Sequence, residues 1–134
     1  MLVALGSIAS QQANAIIKTY DECLWILNYA ASNPEATSKY IASDMVPYVH
    51  SDASYLSEPK ARSRAGGHYF LSDSPVDPTK PPTVRPPLNG PVYSLARILK
   101  YVIASAAEAE IGATFVNGQE TLPLCVTLEE LGHP

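Results

Sequence analysis

Two runs of β-favouring residues joined by a very short connection constrain this chain more than any other feature. Val46, Tyr48, Val49 and Tyr55 favour extended backbone between Met45 and Leu56, and Ala65–Leu71 (AGGHYFL) reads as a second strand. Glu58-Pro59-Lys60 between them reads as a turn. So short a connection joins antiparallel neighbours, because parallel strands need a crossover of a dozen or more residues. Period-two alternation then puts Tyr48, His50, Asp52 and Ser54 on one face of the first strand. Gly66-Gly67 inside the second strand predicts a bulge or a close backbone approach.

The flanking segments have other periods. Ile16, Ile17, Tyr20, Cys23, Leu24, Leu27 and Ala31 recur at spacings of three and four, which predicts a helix over 10–32 with one apolar stripe. Asn33-Pro34 ends it, since a residue before proline is pushed out of helical backbone. Seven of the twelve prolines lie between Asp73 and Pro91, which predicts an extended, semi-rigid loop rather than a strand. A third strand is expected from Val92 to Leu99. Ser105-Ala-Ala-Glu108 has the form of a capping box and starts a second helix. Ala106, Ala107, Ala109 and Ala113 give that helix a face of small side chains. Asn117-Gly118 and Pro123 are expected to kink or interrupt it, and Gly132 to terminate it.

At 134 residues the chain is one domain's length, enough to bury roughly two-thirds of its unfolded surface. No run approaches the roughly 20 apolar residues needed to span a bilayer. The opening MLVALGSIAS lacks the basic start and the long apolar core of a signal peptide. Cys23 and Cys125 are isolated, without metal-ligand spacing, so the expectation is a reduced, intracellular protein whose thiols pack as small hydrophobes. Net charge is −4, but seven of the nine Lys and Arg fall between positions 60 and 100, opposed there only by Asp73 and Asp77. A basic middle between acidic ends marks either a phosphate-facing surface or ordinary solvated turns.

Two acids stand out. Asp52 in a β-rich run is costly unless it is paired, solvated or bound to a cation. Glu108 is accounted for by the cap and the helix dipole, whereas Glu110 has no such local explanation. A carboxylate on a strand and another on a neighbouring helix suit hard divalent cations and phosphodiester hydrolysis. His50 and His68 fall on neighbouring predicted strands, where structural roles are preferred to a two-histidine metal site.

These residues carry a resemblance. The order strand–turn–strand–loop–strand–helix, with HSDASYLSEPKARSRAGGHYFL from His50 and SAAEAEIGATF from Ser105, resembles the ribonuclease H domain of copia-type retroelement polyproteins over nearly the whole chain. The resemblance implies an α/β fold of α+β character: an N-terminal helix, a three-stranded antiparallel sheet and a long kinked helix. It implies residues 1–43, including KYIASDM, as the end of a reverse transcriptase connection region, and 44–134 as a partial ribonuclease H-like domain. It also implies that Asp52 (in HSDASY) and Glu110 (in AEIGA) are catalytic ligands of Mg2+ or Mn2+, and that the substrate is the RNA strand of an RNA–DNA hybrid. Lys60, Arg62, Arg64 and Ser54, with Ser63, would then contact the nucleic-acid backbone. The family's third carboxylate, in a TDN-like motif after the long helix, and its fourth have no counterpart before Pro134. The expectation is therefore a truncated, weakly active copy, or a binding module for nucleic acid or the polymerase domain. A sheet edge left open there would allow two copies to pair.

Overall fold

A computed structural model describes residues 1–74 and 85–133. Contacts divide it into two units, Met1–Thr37 and Ser38–Pro134. Residues 75–84, within the stretch expected to form a proline-rich loop, lie outside the described residues.

The first unit holds α1 (Leu2–Ser10), a 3₁₀ turn (Gln12–Asn14) and α2 (Ile17–Ser32). The single helix expected over 10–32 is therefore split, and the opening residues are themselves helical. The break has a local cause. Ile16 is extended, and its N–H donates to the Thr19 hydroxyl at 3.3 Å, which in turn donates to Gln11 Oε1 at 2.9 Å. Asn33 ends α2 as the sequence requires. Thr19 is buried, whereas Ile17 and Trp25 are 82% and 78% exposed.

The second unit is an open antiparallel sheet in the order β1-β2-β3, with β1 at Val46–Glu58, β2 at Arg62–Ser72 and β3 at Pro91–Ile98, followed by α3 (Ala106–Glu130). Among the described residues this is an α+β architecture. Pairing of β1 with β2 runs from Val46↔Ser72 to Ser54↔Arg64, and β3 joins through pairs such as Gly67↔Leu95. Alternation decides which face is covered. Val49, Ala53, Ala65, Tyr69 and Leu95 point to α3 and close the core with Ala109, Ala113, Val116 and Leu124. The small Ala109 and Ala113, both fully buried, let the helix axis come close to the sheet.

Gly66-Gly67 sits in a regular ladder, not a bulge. The close approach is to a helix side chain: a Cβ on Gly67 would lie 2.2 Å from Asn117 Oδ1 and 2.8 Å from the Tyr69 ring. The β1–β2 pairing bulges between Ser54 and Glu58, where β1 spends two more residues than β2, and the β2–β3 pairing shifts register between Tyr69 and Phe70. Leu56 takes φ +52 there, and the turn residues Lys60 and Ala61 take +63 and +52. Left-handed backbone at three non-glycine residues costs of order 1 kcal/mol each. The Leu56 N–H donates to the buried Ser63 hydroxyl at 3.1 Å, which helps to hold the bulge.

α3 is continuous through Asn117-Gly118 and Pro123, so of the expected kink or interruption the interruption does not occur. Asn117 spends its side chain on the sheet instead of competing for its own helix backbone. Both ends behave as their sequence requires. Ser105 Oγ accepts the Glu108 N–H at 3.1 Å, while Glu108 Oε2 accepts the Ala104 N–H at 2.7 Å. At the far end Gly132 (φ +88) bonds to Glu129 O and His133 to Leu128 O, a Schellman closure.

Residues 38–43 belong with the sheet, because Asn89 ties them to it. Its side chain accepts the Ile41 N–H and donates to the carbonyls of Ile41 and Leu71, each at 2.8 Å.

Candidate functional site

Asp52 lies where alternation put it, with Tyr48, His50 and Ser54 on the face of β1 turned away from α3. Its partner is Gly66, whose missing side chain leaves the surface beside it uncovered. Asp52 is exposed and makes no ion pair among the described residues.

Glu110 is exposed in the second turn of α3. Its direction follows from helix geometry. At about 100° per residue, and with Ala113 at the centre of the buried stripe, Glu110 lies about 60° to the side on which Asn117 stands (about 40°). Asn117 donates to Ser51 of β1 at 2.8 Å, so that is the β1 side; Glu120, rotated the other way, pairs with Arg97 of β3 at 3.0 Å. Seven residues of helix rise are about 10 Å, or about three residues of strand. Since Tyr55 reaches Ala104 O at 3.0 Å, α3 and β1 run in opposite directions, and Glu110 stands roughly level with Ser54. The two acids thus lie in different layers, Asp52 on the sheet face turned away from α3 and Glu110 on α3 itself, and the structure does not bring them together. No hydrogen bond joins them, and no cluster of three or more Asp, Glu, His or Cys suited to a metal occurs among the described residues.

The expected phosphate contacts divide. Lys60 and Arg62 are exposed at the hairpin turn. Arg64 is corrected: it is 7% exposed, its Nε donates to Glu58 Oε1 at 2.6 Å, and its Nη1 donates to Ala96 O at 3.1 Å. The bulge swings Glu58 back over Arg64, and the guanidinium is consumed inside the protein. The hydrogen bond from Arg64 holds the Glu58 carboxyl below its ordinary range. Ser63 is also corrected, since it is 1% exposed and occupied by the Leu56 N–H. Ser54 is exposed, its hydroxyl 2.6 Å from that of Ser57 across the bulge.

Two features needed the tertiary structure to be placed. Asn117, read as a helix disturber, is 1% exposed and joins three strand positions, donating to Ser51 Oγ and Gly66 O and accepting the Tyr69 hydroxyl at 2.7 Å. Burial beneath the helix, with Glu120 nearby, pushes the Tyr69 phenol up to about 12. The other feature is the side-by-side placement of His50 and His68 with Phe70, which only the strand register reveals. No protein-family model, curated protein or solved structure matches this chain.

Proposed function

We propose that the second unit is a ribonuclease H-like module of retroelement type, directed at RNA–DNA hybrids. The observation that carries the reading is the exposure of both carboxylates, Asp52 on β1, an edge strand of the described sheet, and Glu110 on α3. The β–β–β–α order supports it, and so does the bulge beside Asp52, because bulges recur where a strand must re-aim side chains near a site. Hard carboxylate oxygens open to solvent fit Mg2+ or Mn2+, whose remaining positions water would fill. When bound, such ions lower the pKa of a water for attack on phosphorus and stabilise the departing 3′ oxygen. Asp52 and Glu110 would each offer a carboxylate to such an ion from its own side of β1, while Lys60 and Arg62 near the hairpin turn would position the phosphate backbone. Hybrid-specific cleavage in Mg2+ tests the reading. Activity should be lost in Asp52→Asn and Glu110→Gln, and activity that survives either substitution would overturn the assignment.

A second reading is favoured by one observation, the lack of a third convergent carboxylate among the described residues. Under it the unit binds hybrids or a polymerase domain without cutting. Salt-sensitive hybrid binding with no cleavage in the parent or in Asp52→Asn would select it.

A further inference from the structure

On the sheet face away from α3, His50 and His68 are directly opposed across β1 and β2, with ring centroids 6.4 Å apart. Both rings pack against one aromatic neighbour. Phe70, fully buried on the same face, meets His50 edge-on at 5.0 Å and His68 at 5.5 Å, with Tyr48 stacked at 5.8 Å on its other flank.

His68 carries a further constraint. Its Nε2 lies 3.3 Å from the Asn89 carbonyl, which can only accept, so Nε2 bears the proton and Nδ1 of the neutral ring keeps a lone pair. Proteins commonly fix a metal-ligating imidazole in this way, by donating one ring N–H to a backbone carbonyl. Asn89 is itself locked to Ile41 and Leu71, so the carbonyl is well placed.

We infer that His50 and His68 form a two-point chelate for one late first-row divalent ion, Zn2+ being the reference case. Imidazole nitrogens suit Zn2+, Ni2+ and Cu2+, whereas Mg2+ prefers oxygen, so this site is chemically distinct from the Asp52–Glu110 pair. Zinc–nitrogen bonds of about 2.0–2.1 Å require ligating atoms roughly 3.3 Å apart, so with centroids 6.4 Å apart the exposed His50 ring would turn toward His68. Space permits it: Gly66 lacks a side chain, and Ser94, opposite His68, is small and exposed. With no three-ligand cluster among the described residues, water completes the shell.

The chain has three histidines, so His133, after the end of α3, is an internal control. Calorimetric titration of the full chain with Zn2+ alone should give one ion per chain. Affinity should fall at least tenfold in His50→Gln and in His68→Gln and stay within threefold in His133→Gln. Zn2+ should raise the melting temperature of the parent but not of a His50→Gln variant with unchanged circular dichroism. Unchanged zinc affinity in both His50→Gln and His68→Gln, or binding that Asp52→Asn abolishes, would overturn the inference.

Discussion

Asn117→Ala is the substitution that most directly tests how this unit is held together. The residue makes three side-chain hydrogen bonds: to Ser51 Oγ at 2.8 Å, to Gly66 O at 2.9 Å, and from the Tyr69 hydroxyl at 2.7 Å. At about 1 kcal/mol net for each bond, truncation costs about 3 kcal/mol. The Tyr69 hydroxyl keeps a fallback, the Asn117 main-chain carbonyl at 3.2 Å, so no phenol is stranded and the cost stays near that sum. Against a total stability of about 5–15 kcal/mol this is a large share. With a urea slope of roughly 1–2 kcal/mol/M the midpoint should fall by roughly 1.5–3 M. Far-UV circular dichroism through a urea titration reads it directly. Asn117→Asp separates polarity from shape. The introduced carboxylate would face the Gly66 carbonyl, so its folded pKa rises above its unfolded value of about 3.9. Its penalty should therefore be least in acid and grow as pH rises through that elevated pKa. A loss below 1 kcal/mol in Asn117→Ala, or an Asn117→Asp variant indifferent to pH, would refute the view that this amide clamps the helix to the sheet.

Other substitutions probe separate elements. Gly67→Ala, whose Cβ would meet Asn117 and the Tyr69 ring, should cost about 1–3 kcal/mol in the same urea assay, and Gly66→Ala, with only a main-chain oxygen at 3.7 Å, clearly less. Glu58 has a lowered carboxyl pKa, so its pairing with Arg64 stabilises the fold above the unfolded carboxyl pKa and is lost as pH falls through the folded one. Melting temperatures against pH should show that acid-side loss in the parent and not in Glu58→Gln, which should also cost about 3 kcal/mol at neutral pH because a buried guanidinium is left unpaired. Hybrid-binding assays over a salt series should show the slope falling by about one for Arg62→Ala and not for Arg64→Leu, whose defect should appear in stability.

Local chemistry explains why parts of this protein were readable before folding was considered. Ser105 and Gly132 set the ends of α3 through bonds spanning five residues or fewer. The alternation of Val46 to Ser54 fixed which side chains share a face, because a strand reverses its side chains at every residue. Asp52 and Glu110 were visible as acids lacking a local explanation. The split between α1 and α2 was missed because the apolar stripe begins only at Ile16 and the Gln11–Thr19 bond across the break is invisible to periodicity.

Chain order and pattern alone therefore determined three antiparallel strands followed by a capped helix, since turns, caps and periodicity act over a few residues. Tertiary structure alone decided which polar groups are spent inside. It buried Arg64 against Glu58, turned Asn117 into a clamp, and set His50 against His68. Those outcomes depend on a bulge at Ser54–Glu58 and on one strand register. A shift of a single residue in that register would send every side chain to the other face, and no short-range signal encodes it.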